Sequence, residues 1–197
     1  MKLYKLTDEN HETHNNTKWG EGVEHTADGK GPLCSKHWVH AYEDARIASL
    51  LNPIHCNFKN PVLWEAEGEV GEKDNCLKLG CTRLKTIKII PLPEITIEQR
   101  VLFAIYCAKQ VCDNKEWNEW ADNWVSGEDR SEESAWAARE AAREAGAAWA
   151  AAREAARAAA WAWAAAERAA SAAWAASDAV AEANFNIYKA MEQAGIK

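Results

Sequence analysis

Cysteine and histidine gather most densely between residues 34 and 56, where Cys34, His37 and His40 are followed by His55 and Cys56. Thiolate sulfur and imidazole nitrogen suit zinc, and Cys34 and His37 have the spacing of a metal-binding turn. The set lacks the paired CxxC knuckles of a structural zinc site, and a strand over Trp38 to Tyr42 would send His37 and His40 to opposite faces. Ordinary buried or capping roles therefore outweigh zinc, and no cofactor is expected. Cys76 and Cys81, separated by four residues, leave a loop metal site or a redox pair open; Cys107 and Cys112, five apart on a helix, share no face and read as core thiols.

Glu65, Glu67 and Glu69 recur with the period of a strand, and three carboxylates in a row could hold Mg²⁺ or Ca²⁺. The plainer reading is the solvated face of a half-buried sheet. Nucleophilic chemistry finds little to stand on, since Ser35 near His37 is not accompanied by a GxSxG elbow, a phosphate-cradling glycine loop or an HExxH. An enzymatic reading would place its site around His37, His40, Tyr42, His55 and Glu67, metal-assisted or acting on a nucleotide.

The elements positioning these residues lie in a first half, up to about residue 94, that holds every histidine and proline. Short alternating segments predict strands over Leu3–Leu6, Val23–Thr26, Trp38–Tyr42, Leu63–Val70 and Leu84–Ile90. A short helix over Asp44–Leu51 is expected, with Asp44 as N-cap and Pro53 enforcing its end. Pro91-Leu92-Pro93 then acts as a stiff connector. A small α+β or mostly β domain over residues 1–94 is the expectation.

At Thr96 the period changes. Thr96 and Gln99 form a capping-box pattern opening a helix that continues to Cys112, and Trp117, Trp120 and Trp124 share one face of a second helix ended by Ser126-Gly127. Asp129 or Ser131 can cap the next. From Trp136 the chain nearly repeats itself as WAAREAAREAGAA, WAAAREAARAAA, WAWAAAERAASAA and WAASDAVAEAN. Spacings of 12 and 13 residues put Trp149, Trp163 and Trp174 on one stripe and Trp136 and Trp161 on another, nearer the Arg/Glu pairs. A single helix from Glu132 to Gln193 would be about 90 Å long, so breaks are expected at Gly146 and a restart at Ser177-Asp178. Residues 95–197 read as an all-α, alanine-walled bundle filled by tryptophan.

A net charge of -7 argues against binding to phosphate backbones, and interleaved acids and bases such as REAARE argue against nucleic-acid mimicry. The N-terminus has no apolar stretch of signal-peptide length and the run Ala158–Ala166 is too short to span a bilayer. A protein of the cytoplasm, with its cysteines as thiols, is expected.

WGEGVEHTADGKGPLCSKHWVHAYED, LWEAEGEV and LKTIKIIPLPE, together spanning much of the first 95 residues, are similar to a family of uncharacterised N-terminal domains of phage and prophage proteins. The resemblance implies a bacteriophage setting and no particular activity. RVLFAIYCAKQV and the segment from WADNWVSGE into the alanine repeats resemble the Ala-rich helical immunity proteins of bacterial toxin systems, which implies tight binding to a protein and assigns no site residue. A phage would turn such a module on a host protein. The combined expectation is a phage-encoded protein in the host cytoplasm that binds a host or phage protein, with Trp136 and Trp161 as the first contact candidates. Self-association into a structural oligomer is the third reading, compatible with the first.

Overall fold

The computed structural model describes residues 1–74, 77–142, 147–161, 164–179 and 185–197; of residues 147–149 and 153 the backbone alone is described. The chain divides into two compact units, Met1–Glu94 and Ile95–Lys197. Among the described residues, strands and a single α-helix build the first unit and helices alone the second, an α+β protein as expected.

In the first unit the strands are β1 (Lys2–Thr7), β2 (Glu12–Thr13), β3 (Thr17–Lys18), β4 (Glu24–Thr26), β5 (Val39–Ala41), β6 (Val62–Asp74) and β7 (Lys78–Ile90), with α1 (Ala45–His55) after β5. The main sheet runs β1-β6-β7-β4, and β5 also pairs with β7. All pairings are antiparallel. Tyr4 and Tyr42 exchange backbone hydrogen bonds, Tyr4 N–H to Tyr42 O at 2.8 Å and the reverse at 2.9 Å. The path β1-β6-β7-β5 therefore returns to β1, and the sheet curls into a small ring that needs no second sheet to close its core. Leu3, Trp19, Ala41, Ala66, Leu79, Cys81 and Leu84 form that core.

Alternation along β6 buries Trp64, Ala66 and Gly68 and exposes Glu67 and Glu69, as the sequence predicts. Gly68 is required by closeness of approach: a Cβ there would stand 2.4 Å from the Arg83 carbonyl oxygen and 3.0 Å from Leu84. The β6–β7 hairpin is longer than expected. Its added rungs, Glu72 with Gly80, Lys73 with Leu79 and Asp74 with Lys78, come from a charged segment in which polar residues on the outer face obscure the period. Gly80 leaves room for the Trp38 ring, which a Cβ would meet at 2.9 Å.

Helix α1 is capped as expected, the Asp44 carboxylate accepting from Arg46 N–H at 2.7 Å, and it buries Ile47, Ala48, Leu50 and Leu51. Pro53 does not end it. The proline sits in the last turn, where only one backbone bond is forfeited, and the Asn52 side chain closes the end by bonding both the N–H and the carbonyl of Phe58.

The second unit comprises α2 (Ile97–Lys109), α3 (Lys115–Ser126), α4 (Glu132–Ala141), α5 (Ala147–Ala160), α6 (Ala165–Ala179) and α7 (Ile187–Gln193). The Thr96–Gln99 capping box forms in both directions, at 2.9 and 3.1 Å. Gly127 ends α3 with φ at 83°, and the Ser131 hydroxyl caps α4. Helix α2 packs against α5, α6 and α7. Gln110 fixes the start of α7 by bonding both backbone groups of Asn186. The expected break at Gly146 lies outside the described residues, between the end of α4 and the start of α5. The expected restart at Ser177-Asp178 is corrected: α6 runs through both to Ala179, with Ser177 buried in line with Ala169, Ala172, Ala173 and Ala176, where a small hydroxyl side chain takes the place of alanine.

Trp117, Trp120 and Trp124 are buried on one face of α3. Trp117 is fully buried, and its indole N–H donates to the Ala152 carbonyl of α5 at 2.9 Å. Between α5 and α6, Glu154 accepts from Arg157 at 3.0 Å and from Arg168 at 3.1 Å.

Candidate functional site

The Cys/His cluster singled out in the sequence disperses into separate partnerships. The half-buried His37 donates from Nδ1 to Asp28 at 2.7 Å. His40, on β5, donates from Nε2 to the Leu33 carbonyl at 2.6 Å. His55, at the end of α1, stacks on Tyr42 and is hydrogen-bonded to its hydroxyl at 3.1 Å, and Cys56 lies 4.0 Å from the same hydroxyl. Cys34 accepts from the Lys78 ammonium at 2.9 Å. Among the described residues, no three His, Cys, Asp or Glu side chains come together in a way that could hold a metal ion. Cys81 is buried in β7, and the loop metal site or redox pair with Cys76 that the sequence leaves open falls outside the described residues.

His40, Tyr42, His55 and Cys56 nevertheless belong to one neighbourhood, and two lysines complete it. Lys5 on β1 is buried and donates to the His40 carbonyl at 2.7 Å, with its ammonium over the Trp19 ring at 4.8 Å. Lys78, at the start of β7, is equally buried. Neither lysine was singled out in the sequence. The signal for Lys5 is parity: it shares a strand face with Leu3, which lies in the core, so the same alternation that buries Leu3 turns Lys5 inward. No such pattern marks Lys78.

Electrostatics in the cluster follow from burial. Desolvation lowers the Lys5 ammonium to about 8. Burial, then Lys78, then His40 lower His55 to about 3. His40 is lowered by burial first, with Lys78 and Lys5 acting in the same direction. Burial raises Tyr42 well above the ordinary phenol value, and it raises the thiols of Cys56 and Cys81, the latter to about 11. Both imidazoles are thus neutral and both thiols protonated near pH 7. A thiolate nucleophile at Cys56 is not favoured, and the Tyr42–His55 pair has no member titrating near neutrality as acid–base work prefers.

Glu67 stands apart from the cluster, exposed on the outer face of β6. Its register partners are Lys2 and Lys85, while Glu65 faces Lys88 and Glu69 faces Arg83. The row of carboxylates meets a row of cations, the arrangement of a solvated sheet face. Glu67→Gln is expected to change stability by less than about 0.5 kcal/mol, measured by urea unfolding.

In the helical unit, Trp136 on α4 and Trp161 just beyond α5 meet edge to face, ring centroids 4.9 Å apart. Both are half-buried. Arg139 lies over the Trp136 ring at 4.9 Å, Arg157 over the Trp161 ring at 5.7 Å, and the Trp136 indole N–H donates to Glu132 at 3.1 Å. Of the other stripe, Trp174 is partly exposed on α6; Trp163 and the Trp149 side chain lie outside the described residues. No described helix is long and apolar enough to cross a membrane.

No family model, no curated protein and no solved structure matches the chain.

Proposed function

We propose that the chain acts by binding a protein, and that the contact is centred on Trp136 and Trp161 with Arg139 and Arg157 beside them. The observation carrying this reading is that these two indoles, unlike those of α3, reach the surface together and among charges. Tryptophan and arginine dominate the energetics of protein interfaces because each presents a large, stiff contact area with a polar handle. Arginines laid over the rings hold them in place before a partner arrives, which lowers the ordering cost of association.

The partner is a protein of basic surface. Between Ile95 and Lys197 there are 11 Lys and Arg against 16 Asp and Glu, so the helical unit carries most of the chain's negative charge and steers a cation-rich surface toward it. In this reading, which draws on the resemblances of the two halves, the chain is phage-encoded and binds a host or phage protein in the bacterial cytoplasm.

Capture from host lysate, with the full chain and its Trp136→Ala/Trp161→Ala variant as parallel baits, tests this. A basic protein should be retained by the unaltered chain, fall by about 30-fold on the double variant, and weaken between about 50 and 300 mM salt. Equal retention by both baits, with helical content unchanged, overturns the assignment of the surface. A dimeric mass by light scattering that the double variant abolishes would make the occupant a second copy and overturn the basic partner.

A further inference from the structure

Residues 27–38, between β4 and β5, form a loop held in shape by its own bonds. Gly29 N–H donates to the His37 carbonyl at 3.0 Å, the Trp38 indole N–H to the Gly31 carbonyl at 3.0 Å, and His37 Nδ1 to Asp28 at 2.7 Å. Beneath it β7 alternates. Leu79 and Cys81 point into the core, so Lys78 and Gly80 face the other way, toward the loop. His40, the register partner of Gly80, shares that face, and its Nε2 donates to the Leu33 carbonyl at 2.6 Å. Leu33 fills the space that Gly80 leaves, its Cδ1 standing 2.5 Å from where a Cβ would be. The residue after Leu33 is thereby delivered to β7 beside Lys78.

That residue is Cys34. It is exposed, and the Lys78 ammonium lies 2.9 Å from its sulfur. Lys78 itself is only 8% exposed, so packing along its stem holds the nitrogen at the sulfur, where a surface lysine would sweep through solvent. The other described thiols are placed differently. Cys81, Cys107 and Cys112 are buried and Cys56 is half-buried, and burial raises all four, keeping them protonated. Among the described cysteines, Cys34 alone is exposed to an oxidant, and an amine stands against its sulfur.

We infer that Cys34 and Lys78 form a redox modification site, at which peroxide joins the two side chains through a single oxygen as a Sγ–O–Nζ bridge. A first peroxide oxidises the thiol to a sulfenic acid: an S–O bond forms, the O–O bond breaks and water leaves. A second displaces the sulfenic hydroxyl as water and leaves the sulfur carrying O–O–H. Lys78 gives one proton to solvent, and its nitrogen attacks the sulfur-bound oxygen. The N–O bond forms, the O–O bond breaks, and the departing hydroxide takes a further proton from the nitrogen and leaves as water. Two peroxides are reduced, sulfur and nitrogen are oxidised, and three waters and one proton are released. An isolated sulfenic acid proceeds instead to the sulfinic acid. Here the nitrogen is held within reach, and that proximity favours it over attack by peroxide from solution. A direct S–N bond would require the two atoms to close far inside 2.9 Å, against the packing that fixes Lys78. The bridge ties the loop to the base of the β6–β7 hairpin, and a thiol reductant reopens it.

Mass spectrometry of the full chain, treated with a small excess of hydrogen peroxide and then digested, tests this. The peptides holding Cys34 and Lys78 should appear joined, heavier than their sum by one oxygen less two hydrogens, and should separate again after dithiothreitol. Cys34 should be consumed at least about tenfold faster than Cys81 or Cys107. Lys78→Gln should divert Cys34 to the sulfinic acid, Lys36→Gln should leave the bridge in place, and the chain unfolded in urea should form none. The unaltered chain decides the matter even if Lys78→Gln does not fold. Four results overturn the inference: Cys34 unoxidised, Cys34 carried to the sulfinic acid with Lys78 unmodified, a disulfide from Cys34 to another cysteine, or a Cys34–Lys78 link lacking the oxygen. This site and the tryptophan surface lie in different units and fail independently.

Discussion

Trp117→Ala is expected to destabilise the helical unit by about 4 kcal/mol, near the upper end for loss of a buried aromatic ring. The reason lies in what surrounds the ring. The ring meets α5 at the Ala152 carbonyl, and the described buried positions of that helix are alanines, Ala151, Ala152, Ala155, Ala156 and Ala158. Alanine has no rotamers with which to fill a hole, so the cavity left by an indole stays open instead of collapsing. The lost hydrogen bond to Ala152 adds little, because that carbonyl is already within a helix and its second lone pair can remain empty. Trp117→Phe should therefore recover more than half of the loss. Guanidinium unfolding followed at 222 nm checks both. A cost below about 1 kcal/mol for the alanine variant would show that the helices are held by their alanine contacts and not by the ring.

Much of this architecture is legible in the sequence because local chemistry and tertiary structure agree there. Thr96 with Gln99, Asp44, Ser131 and Gly127 each mark a helix end by satisfying backbone groups that no other residue serves so well, and the structure uses all four. The alternation of β6 is read from Trp64 to Glu69 because one face is core and the other carries charge. Legibility fails where two influences act at once. Pro53 is a helix breaker that the last turn tolerates. The segment from Glu72 to Asp74 is polar yet pairs as strand, since a hairpin ladder needs backbone groups and not apolar side chains. The repeat spacing sets Trp136 and Trp161 apart from the other tryptophans, but only the packing of α4 against α5 brings their rings into contact. The histidines attract attention by type, whereas the group carrying most electrostatic tension, Lys5, is an ordinary residue in an ordinary strand and becomes unusual only when the ring of strands encloses it.

That tension makes Lys5→Met a stabilising substitution. Both the folded and the unfolded chain hold the Lys5 proton below pH 8, so at pH 7 the folded state bears the full penalty of a desolvated ammonium. The lowering from 10.5 to about 8 corresponds to roughly 3 kcal/mol. Loss of the bond from the charged ammonium to the His40 carbonyl at 2.7 Å returns about 2 kcal/mol, leaving an expected gain of about 1 kcal/mol for methionine, which keeps the length and the apolar stem. The pH dependence identifies the cause. Between pH 8 and 10.5 the unfolded chain binds more protons than the folded one, so the stability of the unaltered protein rises relative to the variant and the gain shrinks toward zero. His55, lowered to about 3, acts in both proteins alike: its unfolded form takes up a proton below about pH 6.5, so stability falls on acidification without altering the difference between them. A methionine variant less stable than the unaltered chain at pH 7 would mean that Lys5 is compensated in the folded state.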